Sequence, residues 1–171
     1  MMRVLVVICV LLAGCAQGYR DTGVAMTSMA VFEPDRYAGL WYEVASFPTP
    51  FQKGCTHTRA EYTAQGEGAL SVKNTCSRGG SLSVIEGEAK IEGPGRLEVR
   101  LRGVPVAADY WILWVDEGYR TAVVGVPSGR AGWILNRTPD IPPDRLEAAR
   151  RVLQFNGYDL NALRMTVQVG A

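Results

Sequence analysis

A series of short segments in which apolar and polar residues alternate, each bounded by a turn signal, most restricts the fold of this chain. The clearest is Arg96–Arg102, where apolar and charged residues alternate at every position. Because successive side chains of a strand point to opposite faces, this pattern is typical of a half-buried β-strand. Gly-rich and Asp-rich turn signals separate the segments at hairpin spacing. Eight strands are predicted in this way, over residues 40–47, 56–63, 69–76, 82–91, 96–102, 110–115, 121–126 and 133–135.

Eight consecutive strands joined by hairpin turns favour an all-β fold, an eight-stranded antiparallel up-and-down barrel. Closing the sheet on itself removes its exposed edges and leaves an interior for side chains or for one small ligand. The alternation by itself also fits a β-sandwich.

One amphipathic helix follows the strands. Pro142-Pro143-Asp144 is a helix start, because proline suits the first turn and an acidic group there complements the helix dipole. Leu146, Ala149 and Leu153 then fall on one face, and Asn156-Gly157 is a stop signal. We expect this helix to pack on the outside of the barrel, followed by a last strand over residues 164–169.

Residues 1–14 are predicted to be a signal peptide. The apolar run Val4–Ala13 is shorter than the roughly 20 residues of a membrane span but has the length of a signal-peptide core. It ends in Leu12-Ala13-Gly14-Cys15, which resembles the lipobox of bacterial lipoproteins. The alternative is an ordinary secretory signal with a chance cysteine.

The lipobox resemblance implies that Cys15 is lipidated and anchors the protein to a membrane. Several acyl chains on one residue hold firmly, since each buried methylene contributes about 0.8 kcal/mol. In such lipoproteins an Asp after the cysteine favours the inner membrane, so Ala16 favours the periplasmic face of the outer membrane. Residues 15–30 are then predicted to be a lipidated tether, and residues 31–171 the folded domain.

The two remaining cysteines, Cys55 and Cys76, are predicted to form a disulfide, because Cys9 leaves with the signal and the compartment is oxidising. The turn signal Gln65–Gly68 lies midway between them, so a hairpin there brings them roughly opposite one another. Closing such a loop of about 20 residues contributes roughly 3 kcal/mol in the chain-entropy model. Two free thiols are the alternative.

Charge and composition exclude several classes of function. The chain has 18 Lys and Arg against 17 Asp and Glu, so nothing indicates nucleic-acid binding. A single histidine, His57, excludes a multi-histidine metal site, and neither metal-ligand spacing nor a phosphate loop is present, so no metal or cofactor is predicted. His57 is interpreted as a surface or rim residue, and Glu86 and Glu88 as solvated strand carboxylates.

Three sequence signatures resemble those of the lipocalin family. They are Gly39-Leu40-Trp41-Tyr42-Glu43, the segment Val115–Val124, and Trp133–Pro139 with its arginine at position 137. Their order, followed by one helix, resembles the bacterial outer-membrane branch of lipocalins related to apolipoprotein D. The resemblance implies that Gly39, Trp41 and Arg137 close one end of the barrel. A desolvated guanidinium over the indole of Trp41 would contribute about 2 kcal/mol.

The same resemblance places Tyr62, Asn74 and Trp133 on the wall of a ligand-binding calyx. Tyrosine and tryptophan supply apolar area with a polar atom, as such pockets require. Small Gly87 and Ala89 are expected to leave interior room. The alternative is a barrel filled by its own side chains. Trp111 and Trp114 have opposite parity on one strand, which places one of them inside.

The segment Phe47–Gly54 is expected at the open end of the barrel. Its two phenylalanines form either an apolar lip that faces the bilayer or gates the mouth, or ordinary loop packing.

The function that these features favour is binding and transport of a small hydrophobic ligand, a fatty acid or lysophospholipid, by a membrane-anchored protein without catalysis. The alternatives are a lipid-modifying or small-molecule enzyme on the same barrel, and a structural envelope lipoprotein. Homodimerisation stays open.

Overall fold

Eight antiparallel strands close into a barrel in the computed structural model, which describes residues 18–66 and 68–168. Each strand pairs with the next, and β1 pairs with both β8 and β2, so the sheet closes on itself. The predicted barrel is confirmed, and the sandwich is excluded. The strands are β1 Gly39–Ser46, β2 Cys55–Ala64, β3 Ala69–Arg78, β4 Ser81–Gly93, β5 Arg96–Leu101, β6 Ala108–Val115, β7 Thr121–Gly125 and β8 Gly132–Asn136.

Within residues 18–66 and 68–168, two α-helices flank the barrel. The short helix α1, Pro34–Tyr37, leads the chain into β1, and the predicted outer helix is α2, Pro143–Phe155. Ala149 and Leu153 of α2 are fully buried against the barrel, as the amphipathic pattern predicts. Within the described residues, no helix is both long and apolar enough to cross a membrane.

A ninth strand, β9 Arg164–Met165, fills a gap in the barrel wall between β1 and β2. These two strands pair with each other only over Gly39–Tyr42 of β1. Further along, β9 pairs with β1, and the next residues bridge to both strands: Thr166 N–H donates to Val44 O at 3.0 Å, and His57 N–H donates to Val167 O at 2.8 Å. The predicted last strand is therefore shorter than expected, and its end at residue 169 lies outside the described residues.

Alternate connections of an up-and-down barrel lie at the same end. The β2–β3, β4–β5 and β6–β7 turns share one end with α1, which we call the closed end. The other four connections form the open rim, defined as these connections with one strand residue on either side: residues 46–55, 78–81, 101–108 and 125–132.

The buried apolar residues form two clusters, one inside the barrel and one between its outer wall and α2. The inner cluster includes Tyr37, Trp41, Tyr62, Leu70, Ala89, Leu97 and Ile112. The outer cluster includes Val44, Phe47, Leu113, Val123, Ile134, Leu153 and Tyr158.

Both Trp111 and Trp114 belong to the outer cluster, although their parity predicts that one points inward. The register of β6 against β7 shifts between Ile112 and Trp114, as at a β-bulge. One extra residue there reverses the parity of the strand. Leu113 also packs outside, whereas Ile112 and Val115 remain in the inner cluster.

Residues 19–30, predicted to be part of a tether, lie along the outside of the barrel. Tyr19 N–H donates to Gly129 O at 2.6 Å near the open rim, and Met29 N–H donates to Ile112 O at 2.9 Å. The Tyr19 ring also stacks on Phe47, with centroids 5.3 Å apart. Because backbone hydrogen bonds and an aromatic contact hold this segment, the structure corrects the tether prediction over these residues.

The predicted disulfide between Cys55 and Cys76 is present. It joins the start of β2 to the end of β3, with the two Cα atoms 5.5 Å apart. Since the hairpin folds at the predicted turn, the two residues meet across neighbouring strands.

Candidate functional site: the barrel interior

Arg137 and Trp41 seal the closed end of the barrel. The Arg137 Cζ atom lies 3.7 Å from the centroid of the Trp41 ring. The guanidinium also donates hydrogen bonds to the backbone oxygens of Arg36, Ala38 and Leu40, at 2.8, 2.9 and 2.9 Å. One side chain therefore joins the end of β8 to the chain entering β1.

Gly39 allows this close approach. Its φ is +97°, and a Cβ atom there would lie 3.3 Å from Arg137 Nη1. A larger residue would be strained in this conformation and would press on the guanidinium.

Three tyrosine hydroxyls meet inside the barrel. Tyr62 donates to Tyr110 Oη at 2.7 Å, and the Tyr37 hydroxyl lies 3.1 Å from the same oxygen. The Tyr37 ring packs on both Trp41 and Tyr62, with centroids 5.0 and 5.1 Å apart. This tyrosine triad fills the barrel above the Arg137–Trp41 seal and forms the floor of any cavity.

Alkaline pH is expected to weaken the fold through this triad. Burial raises the pKa of Tyr62 to about 12 and raises the pKa values of Tyr37 and Tyr110 well above their usual value. In the unfolded chain these phenols ionise near pH 10. Between about pH 10 and pH 12 the unfolded state therefore binds fewer protons than the folded state, so the free energy of unfolding falls as pH rises.

Absorbance at 295 nm during alkaline titration measures this effect, and Y62F is the control because it should titrate one late phenol fewer. Ionisation of every tyrosine near pH 10 without unfolding would contradict the prediction.

Above the triad, the inward-facing residues Asn74, Ile85 and Leu101 of β3, β4 and β5 are only half-buried, so solvent reaches this part of the interior, which we call the open cup. Residues directly opposite in an antiparallel pair share a face. Asn74 pairs with Ala60 of the inner cluster and with Ile85, so both Asn74 and Ile85 face inward. By the same argument Leu101, opposite Gly87, lies on the inner face of β5. The cup is thus lined mainly by aliphatic side chains, with one amide.

Gly87 and Ala89 do not leave room in the way the sequence suggests. A Cβ atom at Gly87 would lie 2.1 Å from Arg100 O, so this glycine lets the backbones of β4 and β5 approach each other. Ala89 is fully buried in the inner cluster and belongs to the filled part of the barrel. Tyr62 likewise belongs to the floor, whereas Asn74 lines the cup.

Trp133 stands on the opposite wall and leads to a polar network at the mouth. Its ring stacks on Tyr110, with centroids 6.0 Å apart, and its indole N–H donates to Gln52 Oε1 at 3.1 Å. Gln52 in turn donates to Glu43 Oε2 at 2.6 Å, and Thr166 Oγ1 donates to Glu43 Oε1 at 2.6 Å. The network ties the β1–β2 connection and the segment after β9 to the barrel wall.

The same network borders a cleft of about 510 Å³ between the β1–β2 connection and β9. Its lining includes Glu43, Gln52 and Thr166 of the network, together with Pro48, Lys53 and Arg164. The cleft and the cup are therefore linked by the hydrogen bond from Trp133 to Gln52, which lines the cleft.

The two phenylalanines of the predicted lip lie in different environments. Phe47 is fully buried in the outer cluster and stacks on Tyr158, with centroids 4.9 Å apart, so it is loop packing. Phe51 is exposed on the open rim.

The candidate catalytic side chains are not assembled. His57 is half-buried in β2, and its Nδ1 lies 3.1 Å from Thr56 Oγ1. Glu86 and Glu88 are exposed on the outside of β4, where Glu86 forms an ion pair with Arg102 at 2.9 Å. Among the described residues, no group of three or more His, Cys, Asp or Glu side chains could hold a metal ion.

Several residues of the site are absent from the sequence-based prediction. Two of them could have been predicted, because residues two apart on a strand point to the same face. Tyr110 is two residues from Ile112 on β6, and Glu43 is two residues from Trp41 on β1. Tyr37 and Gln52 carry no such signal, because α1 and a loop bring them to the barrel.

A closed antiparallel barrel with one sealed end and an apolar cup at the other belongs to the class of barrels that bind small molecules inside, away from water. The comparisons with known proteins place it more narrowly. Residues 32–168 match the family model described as a lipocalin-like domain, and the chain belongs to the lipocalin family.

Its relatives span plants, animals and bacteria. Temperature-induced lipocalin-1 of Arabidopsis thaliana is 36% identical over 78% of each chain. Apolipoprotein D of Macaca fascicularis is 32% identical, over 92% of this chain and 89% of the relative, and the outer membrane lipoprotein Blc of Escherichia coli is 31% identical, over 94% and 92%. Among solved structures, insecticyanin of Manduca sexta has a TM-score of 0.71 at 21% identity, covering 89% of this chain and 87% of that one.

Proposed function

We propose that this lipocalin carries a fatty acid or a lysophospholipid in the cup, without catalysing a reaction. The observation that carries the proposal is the aliphatic, half-buried wall formed by β3, β4 and β5 above the tyrosine triad. Moving an acyl chain from water onto such a wall is favourable by roughly 25 cal/mol per Å² of buried apolar area. The polar head would remain at the mouth, near the network of Trp133, Gln52 and Glu43.

We further propose that Cys15 is lipidated and anchors the protein at the periplasmic face of a bacterial outer membrane. The Leu12–Cys15 lipobox supports this, and a relative that is similar over most of its length is named an outer membrane lipoprotein. Residues 1–17, which hold the signal peptide and Cys15, lie outside the described residues.

Titration with long-chain fatty acids and lysophospholipids, followed by tryptophan fluorescence, tests the ligand. We expect a saturable change, because Trp133 borders the cup. The variant W133F should lose most of this change, whereas W111F should keep it, since Trp111 packs outside the barrel. No response to a broad panel of these lipids would overturn the proposal and favour a structural lipoprotein.

Mass spectrometry of the protein extracted from membranes tests the anchor and the cargo together. A mass increase on the peptide that begins at Cys15 is expected, as is co-purified lipid in the intact protein. An unmodified Cys15 would contradict the anchor alone.

A further inference from the structure

The open rim carries apolar side chains that are largely exposed in the described structure. Phe51 is 65% exposed, Val104 42% and Val106 68%. They come from two different connections of the rim, and Leu82, which adjoins the rim on β4, is 72% exposed. Scattered surface hydrophobics are ordinary, but several around one mouth mark a surface that contacts a protein or a membrane.

The charges of the rim have one sign. Each of its four segments carries one basic residue and neither Asp nor Glu; the four are Lys53, Arg78, Arg102 and Arg130, and all are exposed. Arg102 is the one among them that is ion-paired, with Glu86 on the strand below.

The described residues of the closed end, counted in the same way and together with residues 33–38 and the β8–α2 connection at 136–143, hold five carboxylates and four arginines. They are Glu33, Asp35, Asp116, Glu117 and Asp140, with Arg36, Arg96, Arg120 and Arg137. The open rim therefore carries only basic charges, whereas the closed end is nearly balanced, and a barrel charged in this way turns its rim towards an anionic surface.

The amino-terminal segment reaches the barrel at this same rim. Tyr19 bonds to Gly129 in the β7–β8 connection, and its hydroxyl donates to Pro48 O at 2.6 Å. Cys15 is three residues before Gly18, so even a fully extended chain separates them by no more than about 11 Å. If Cys15 is lipidated, which rests on the proposed function, the anchor holds the rim close to the headgroups.

We propose that the open rim docks on a bilayer that contains anionic phospholipid, so that the mouth of the cup opens directly onto the membrane. Phe51, Val104 and Val106 enter the interface between headgroups and acyl chains, where apolar side chains are buried. The four basic residues contact lipid phosphates. An acyl chain then passes between membrane and cup without crossing bulk water.

The test uses the lipidated protein reconstituted into vesicles of phosphatidylethanolamine and phosphatidylglycerol. An environment-sensitive fluorophore is placed through V106C on the rim or through V31C, its matched control near the closed end, where Val31 is 70% exposed. The native disulfide and the acylated Cys15 leave each variant a single reactive thiol. Acyl chains brominated near the headgroup serve as quenchers.

We expect at least threefold stronger quenching at position 106 than at position 31, and weaker quenching as salt is raised. Equal or absent quenching at the two positions would overturn the proposal. A blue-shifted but unquenched probe at position 106 would also overturn it, because it would mean that the rim is covered by a second copy of the chain or by another protein.

A kinetic measurement separates this proposal from the ligand proposal. We expect F51S/V106S to slow the transfer of a fluorescent lysophospholipid from vesicles to the protein about tenfold, with an unchanged Kd for the same lipid in solution. The control V31S, which removes an exposed apolar residue near the closed end, should alter neither. An unchanged transfer rate in F51S/V106S would contradict rim docking. If the unaltered protein does not bind the lipid in solution, only the proposed function is contradicted.

Discussion

The I85W variant is expected to bind fatty acid or lysophospholipid about 100-fold more weakly than the unaltered protein, a loss of about 2.7 kcal/mol. Ile85 faces the cup opposite Asn74 and is only half-buried, so a larger side chain enters open space. The indole would occupy the volume that the acyl chain requires. Isothermal titration calorimetry measures the affinity directly. It does not rely on tryptophan fluorescence, which the added indole would alter.

The neighbouring residue supplies the matched control. Val84 is exposed on the outside of the same strand, opposite Thr75, so V84W adds the same side chain to the other face. We expect its affinity to stay within twofold, and both variants to unfold at similar temperatures. Equal affinities for I85W and the unaltered protein would mean that the ligand does not enter the cup.

The second large effect concerns stability. We expect R137A to lower the free energy of unfolding by about 3 kcal/mol, measured by urea denaturation. The substitution removes the cation from the face of Trp41, an interaction of about 2 kcal/mol where desolvated. It also removes charge-assisted hydrogen bonds to Arg36 O, Ala38 O and Leu40 O, each worth on the order of 1.5 kcal/mol before the remaining groups find water.

Two control variants separate the effect of the guanidinium hydrogen bonds from the effect of the positive charge. R137K keeps a cation near the ring but loses the guanidinium geometry, so we expect roughly half the loss. R151A removes an exposed arginine paired only with Glu147 and should change stability by less than about 0.5 kcal/mol. A loss below about 1 kcal/mol for R137A would show that Trp41 alone closes the barrel.

The positions of the strands were predictable because each strand buries one face. Apolar and polar residues therefore alternate along the sequence with a period of two. The β6 strand shows the limit of that signal. The register shift between Ile112 and Trp114 adds one residue without changing composition, and it moved both tryptophans outside. Side-chain parity cannot reveal a bulge until the partner strand is known.

The seal of the candidate site was recognisable from sequence, because Gly39, Trp41 and Arg137 form signatures that resemble those of a known family. The tyrosine triad was only partly accessible, since Tyr37 reaches the interior through α1 rather than through a strand. The docked segment at residues 19–30 was inaccessible for another reason. Its side chains contact the barrel without a regular spacing, and several of them bond to backbone oxygens, as Tyr19 does to Pro48 O and Arg20 to Pro127 O, so no sequence pattern marks the contacts.

The position of β9 between β1 and β2 has a consequence for how the molecule reaches its native state. Hairpins from β2 to β8 join sequence neighbours and can form early, whereas β1 meets β8 and β9 only by closing a long loop. Because Thr166 and Val167 bridge β1 and β2, closing the last gap requires the segment that follows α2, which is distant in sequence from both strands. We therefore expect hydrogen exchange during refolding to protect the amides at this seam last, so that the barrel wall becomes continuous only at the final step of folding.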